Sequence, residues 1–465
     1  MRRQIRRAAW AWVLPMGVLV PIQAQDPSPR PAPAAEGASW TTAVEPKPIG
    51  PAAKKGLDWL VEHQLADGGW GQGDEAPRMG TVGSPLRDKA NVADTAIAAL
   101  ALIRSGSTPK AGPYQAAVDR AVRYVRGQVE ASDPKALAVS TVQGTRVQAK
   151  LGPNIDTFLA ALLLAEANGR MADRAGNEAV AVALNRVLAK IKGHQKADGT
   201  WDNKTGWAPI LAQSMAGKGI NRASQAGAVV EAELLAKTEG AAQAQFAQAK
   251  ATILASAAPA APAAGAAGPE ASATRPAVAV ASTGGRTAKP MAGGAGSAGV
   301  ELYDRASSLS VLQDSVNTNA TKAAALKAIC ETSKDPAKVA EARDTLKRFE
   351  VATLACADAK QAVVARLDDK GFVAGFGSNG GEEFLSYMNI AESLVLQGGA
   401  EWKKWDDAMT ANLGRVQNDD GSWTGHHCIT GRTFCTSTAL LVLLADRTPV
   451  PTQAKGKAGA ETAAK

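Results

Sequence analysis

The chain has 465 residues, 45% of them hydrophobic, enough to bury a sizeable core in one large domain or several average ones. Of its formal charge of +8, four Arg (Arg2, Arg3, Arg6, Arg7) precede an apolar run over 8–20 that is too short to span a bilayer. Residues 1–24 therefore read as a secretory signal peptide, whose removal leaves +4 and no basic stripe with interleaved aromatics, so nucleic acid is not an expected partner. The expected location is exported, either periplasmic or secreted, with contact to a membrane surface allowed but no transmembrane helix.

Residues 25–50 are rich in Pro and Ala (Asp26-Pro27-Ser28-Pro29-Arg30-Pro31) and read as an extended tether. Beyond it the apolar periodicity is helical, and the predicted fold class is all-α. Helices with a single apolar stripe are expected near 51–64, 113–130, 177–195, 240–253, 336–366 and 401–417. Tyr114, Val118, Ala121, Val122, Val125 and Val129 show the pattern. Each precedes a segment apolar on nearly every side, near 92–104, 155–167, 223–236, 302–316, 383–397 and 435–446. A helix apolar all round must be surrounded by protein. About six outer and inner pairs thus predict two concentric layers, an α/α toroid, with its halves at 51–254 and 300–448.

Between them, residues 255–299 are nearly all Ala, Gly, Pro, Ser and Thr, too little apolar surface to offset chain entropy, and read as a disordered insertion. Residues 322–330 carry extra helical pattern outside the pairs. The tail, 449–465, is again low in complexity and expected to be disordered.

The strongest signal is an internal repeat. Gln64-Leu65-Ala66-Asp67-Gly68-Gly69-Trp70, Gln195-Lys196-Ala197-Asp198-Gly199-Thr200-Trp201 and Gln417-Asn418-Asp419-Asp420-Gly421-Ser422-Trp423 share four fixed positions, each at the end of a striped helix. Asp-Gly ends the helix in a turn, the Gly taking the left-handed conformation; the Gln amide suits the carbonyls left open there, with the Trp stacked over it. Asp369-Lys370-Gly371-Phe372 reads as a decayed fourth copy. The segments Asp94-Thr95-Ala96-Ile97-Ala98-Ala99-Leu100 and Asp156-Thr157-Phe158-Leu159-Ala160-Ala161-Leu162 also match each other.

This motif resembles the QW repeat of squalene–hopene cyclases, oxidosqualene cyclases and the β subunits of protein prenyltransferases, over most of residues 50–446 outside the insertion. The resemblance implies an α/α toroid whose inner helices line an apolar cavity for an isoprenoid chain. The family's catalytic Asp-x-Asp-Asp and zinc-binding Asp-x-Cys elements are absent from the sequence, as is the Gly-Cys-Gly-Glu-Gln thioester of complement-type toroids. The expected function is therefore to hold an apolar, isoprenoid-like small molecule or a partner protein without standard cyclase chemistry.

Two alternatives carry chemistry. Asp94, Asp156, Glu382 and Glu383, at the starts of inner helices, are candidate acids for isoprenoid modification; equally, they suit a first turn through the helix dipole, with Asn91 and Asn154 as N-caps. The segment from Gly425 to Cys435 packs His426, His427, Cys428, Arg432 and Cys435 into eleven residues. It supports a Cys428–Cys435 disulfide, a zinc site using His427 (or His426) with Cys428 and Cys435, or an anion or substrate site using His426, His427 and Arg432. No other cofactor is implied. Cys330 and Cys356 fall on apolar stripes as buried free thiols, and His63 and His194 close outer helices.

Overall fold

A computed structural model describes residues 40–76, 85–202, 206–257, 295–376 and 379–451. The expected signal peptide, residues 25–39 of the expected tether, 258–294 of the expected insertion and 452–465 of the tail lie outside them. The described residues are all-α, with fourteen α-helices and a single two-stranded ribbon.

Six helices make up the interior: α2 (Val92–Arg104), α5 (Ile155–Ala167), α7 (Pro209–Gln225), α9 (Ala295–Thr332), α12 (Gly381–Leu394) and α14 (Arg432–Leu443). Every residue of α2, α5 and α12 is buried. Each of the six packs on the next in chain order, and α14 packs back on α2. The striped helices lie against them. α1 (Pro51–Glu62) packs on α14, α3 (Gln115–Ala131) on α2, and α6 (Arg174–Gly193) on α5. α8 (Ala232–Ala257) and α10 (Pro336–Val364) both pack on α9, and α13 (Gly399–Val416) on α12 and α14. Two short helices, α4 (Arg146–Leu151) and α11 (Lys370–Ala374), complete the set.

Four expectations need correction. The third interior helix is not 223–236 but α7, which ends before Gly227 at φ +84°. Its buried face carries Ser214, Lys218, Asn221, Arg222 and Gln225, so hydrophobicity could not identify it as interior. Residues 322–330 continue α9, which turns at Asp335, the N-cap of α10. The tether and tail are ordered at their inner ends, where Trp40–Thr42 pairs antiparallel with Pro449–Pro451. Asp369-Lys370-Gly371-Phe372 keeps an Asp bond two residues on, Asp369 Oδ1 accepting from Gly371 N at 2.8 Å, but Lys370 does not take the left-handed conformation, and Asp369 caps the start of α11 instead.

The three true repeats share one hydrogen-bond circuit. In each, the Gln Nε2 donates to the carbonyl of the turn's own Gly: Gln64 to Gly68 at 2.8 Å, Gln195 to Gly199 at 3.1 Å, Gln417 to Gly421 at 2.8 Å. The same amide reaches another outer helix, at Ala117 O on α3, Thr238 Oγ1 on α8 and Ala52 O on α1. Asp67, Asp198 and Asp420 each accept from the backbone N–H two residues on. The Trp contributes a hydrogen bond as well as bulk. The indole N–H of Trp70, Trp201 and Trp423 donates to the carbonyl ten residues earlier, at Leu60, Ile191 and Leu413. Its backbone N–H is received by a side chain of an interior helix: Thr95, Gln213 or Thr436. The motif thus ends one outer helix and ties it to a second outer helix and to the interior.

Candidate functional site

Buried acids gather where α2, α5 and α12 begin. Asn91 Oδ1 accepts from Asp94 N at 3.0 Å, capping α2 as expected, and Asn91 Nδ2 donates to Asp94 Oδ2 at 2.7 Å. Among the described residues nothing bonds the buried Asp94 Oδ1. Burial pushes Asp94 up to about 7, with the Asp156 charge adding to it. Asp156 accepts from Ala93 N at 2.9 Å and from Gln148 Nε2 at 2.6 Å; burial pushes it up to about 6. Asn154 occupies the N-cap position of α5 as expected, but its side chain makes no cap hydrogen bond; its Nδ2 donates to Asp202 O.

The second acid pair opens α12. Glu383 is fully buried: its Oε1 accepts from Tyr303 OH at 2.8 Å, and its Oε2 lies 3.2 Å from His427 Nε2. Glu382 Oε2 accepts from Ile429 N at 3.1 Å. Burial, then repulsion from Glu383, pushes Glu382 up to about 7. Glycine lets the loop approach so closely, since a Cβ on Gly380 would stand 2.9 Å from both Glu383 Oε2 and His427 O. Cys428 is the one described non-glycine residue at positive φ, +55°, a conformation that persists only where its surroundings impose it. Here the flanking backbone is pinned by Gly381 N to Ile429 O at 2.9 Å and His426 N to Asn379 O at 2.8 Å. The Cys428 side chain, then Glu383, pushes the half-buried His427 up to about 11, so the imidazole is a cation at neutral pH.

The dense loop is therefore organised differently from its sequence reading. Cys428 and Cys435 are both free, with no disulfide between them; Cys435 Sγ instead donates to Ile429 O at 3.4 Å. Burial raises the Cys435 thiol, with Glu382, Asp94 and Glu383 adding to it, which places that sulfur within electrostatic reach of both acid pairs. The metal-capable group among the described residues is not His427 with two thiolates but Glu382, Glu383 and His427, whose ligand atoms lie within 4.8 Å of one another. His426 is exposed. Arg432 is engaged by the third repeat, its Nη1 donating to Asp420 Oδ2 at 2.5 Å, and so is not a free anion receptor. Cys356 is buried as expected, whereas Cys330 is only partly so.

Sequence reasoning missed the other end of the interior helices. Arg104, Glu166, Lys218, Arg222, Asp314 and Glu392, all nearly inaccessible, form one ion network. Arg104 pairs with Glu166 through both guanidinium nitrogens and with Glu392 at 3.1 Å; Lys218 joins Glu392 at 2.7 Å and Asp314 at 3.1 Å. Arg222 stands 3.8 Å from Glu166 and 3.9 Å from Asp314. The available signal was charge on helices otherwise apolar all round.

Among the described residues no helix is long and apolar enough to cross a membrane. No family model, curated protein or solved structure matches the chain.

Proposed function

We propose that the chain is an exported α/α toroid akin to terpenoid cyclases and prenyltransferase β subunits, whose working site is a divalent-cation centre at Glu382, Glu383 and His427. The observation carrying it is the convergence of those three ligand atoms within 4.8 Å at the buried start of α12. The toroid reading is supported by the interior helices, which pack in series back to α2, and by Gln417, which ties α13 to α1.

Two adjoining buried carboxylates repel, and their charge must be met by protons or by a cation. Without a cation, Glu382 retains a proton near neutrality and the imidazolium of His427 balances Glu383. A divalent ion would displace both protons, so binding releases acid. One imidazole and two carboxylates suit zinc or manganese, and three protein ligands leave positions for water or substrate. When bound, the ion would supply Lewis acidity or an activated water.

A polar ligand is favoured over an isoprenoid by the interior side chains. The hydroxyls of Ser307 and Ser310 and the Oδ1 of Asn389 are buried on interior helices without a partner among the described residues, and an apolar chain would leave such groups unpaired. The test is calorimetric titration of chelator-treated protein with zinc or manganese in buffers of differing ionisation enthalpy. One equivalent bound with proton release is expected, lost in Glu383→Gln and His427→Ala. Absence of binding, or binding indifferent to both substitutions, would sink the reading. A second reading rests on Asp94 alone, as a buried acid whose Oδ1 has no bond to lose. It requires a turnover that survives chelation and disappears in Asp94→Asn.

A further inference from the structure

We propose that a cleft walled by α8, α9 and α10 is a second, separate site, for a small organic ammonium that pairs with Asp304 and reaches Ser308 with a hydrogen-bonding group. The cleft has a volume of about 350 Å³ and is lined by Phe246, Ala249 and Lys250 of α8, Asp304, Arg305 and Ser308 of α9, and Asp358, Gln361 and Ala362 of α10. That is the lower end of the size range of small-molecule pockets.

Its charges are matched except one. Lys250 pairs with Asp358 at 3.4 Å. Arg305 pairs with Glu301 at 2.7 Å and donates to Ala362 O at 2.7 Å. The Asp304 carboxylate has no hydrogen-bond or ion-pair partner among the described residues, and burial pushes it up to about 6. One helical turn on, Ser308 is 1% exposed, and its hydroxyl also lacks a partner among the described residues. Residues four apart on a helix share a face. The cleft thus offers a carboxylate and a hydroxyl in line, with Phe246 and Ala362 beside them to pack methylenes.

The sign of the unmatched charge selects the ligand. An anion would face Asp304 uncompensated, and a neutral alcohol would leave it unpaired. An ammonium on a short aliphatic stem satisfies the carboxylate, and a terminal hydroxyl satisfies Ser308. None of Glu382, Glu383 and His427 lines the cleft, so it shares no ligand group with the cation centre.

The experiment titrates the full chain with 4-amino-1-butanol, with 1-butanol and butyrate as controls, by calorimetry and by amide chemical-shift mapping. Saturable binding of the amino alcohol alone is expected, with shifts centred on residues 246, 304, 308 and 361. Asp304→Asn should weaken it about tenfold or more, Ser308→Ala a few-fold, and Glu383→Gln not at all. Equal binding by Asp304→Asn, preference for butyrate, or wild-type shifts elsewhere on the chain would overturn the proposal. The wild-type map decides the matter should either variant fold poorly.

Discussion

The side-chain amide of Gln417 donates to the backbone carbonyl of Ala52 at 2.9 Å, joining the end of α13 to the start of α1 across 365 positions of sequence. A second bond from the same amide closes its own turn at Gly421. Gln417→Ala removes both and leaves the carbonyls to find water, at a cost of about 1–3 kcal/mol. The expected result is a melting temperature lowered by a few degrees, with faster amide exchange in α1 and α13 than elsewhere. Uniform exchange with an unchanged midpoint would show the link to be incidental.

Gly199 is required twice over. Its φ is +82°, and a Cβ there would lie 2.1 Å from Lys237 O, a backbone atom that cannot step aside cheaply. Gly199→Ala should therefore cost about 3 kcal/mol or more, by the strain of a non-glycine left-handed residue plus displacement of α8. Gly240, exposed within α8 with nothing within 4 Å of its Cβ position, provides the contrast. Gly240→Ala should stabilise by about 0.5–1 kcal/mol. Chemical denaturation of the two variants side by side measures both signs.

What the sequence made legible follows from which interactions are local. Each repeat is one turn whose Gln, Asp and Gly bond within a few residues, so its composition announced it. Outer helices were legible because one face meets water. α7 was not, because its buried face carries Lys218 and Arg222, charges whose partners on α5, α9 and α12 are far away in the sequence. The Gly425–Cys435 loop was recognisable as chemically dense. The acids that meet it were not, since Glu382 and Glu383 reach it through the packing of α12 beside α14.

All four cysteines are free thiols. Alkylation under denaturing, non-reducing conditions should add four labels, with no change in count after a reductant. In the native state the half-buried Cys330 and Cys428 should react well before the buried Cys356 and Cys435, whose thiols burial raises far above neutrality. Two labels under denaturing conditions, rising to four on reduction, would restore the disulfide.

Asp94 gives stability a definite pH slope. Its folded value of about 7 exceeds the ordinary 3.8, so between those limits the folded state binds more protons than the unfolded one. Its contribution is fully present below about pH 4 and is lost as pH rises through 7, about 1.4 kcal/mol for each unit of the interval at most. Asp156, pushed up to about 6, acts in the same direction. Glu392 acts oppositely. Held down to about 2 by Lys218, Arg104 and Arg222 against its burial, it contributes above the usual glutamate range, and that contribution is lost as pH falls through 2. The stability maximum should therefore lie on the acid side of neutrality. Asp94→Asn keeps an acceptor for Asn91 but removes the proton linkage, so it should be more stable than wild type at pH 8 and show a shallower slope from pH 5 to 8. Denaturation midpoints across that range check it, and parallel curves for the two proteins would contradict it.

Three cations and three carboxylates balance in the buried network, and the balance matters more than any one bond. Among the described residues Arg104 is the only cation bonded to Glu166 at hydrogen-bonding distance, Arg222 standing 3.8 Å away. Arg104→Met leaves three buried carboxylates facing two cations, and breaking such a set from one side costs about 3–5 kcal/mol. Replacing Glu166 by Gln in the same chain restores charge equality, two against two, while the amide still bonds as donor or acceptor. The double variant should recover most of the loss even though it contains fewer ion pairs than the single one. A double-mutant cycle on Arg104→Met and Glu166→Gln measures this coupling directly. Additive losses would mean that water reaches the network and screens it. A recovery beyond half would show that the interior tolerates the absence of an ion pair better than the presence of an unpaired charge.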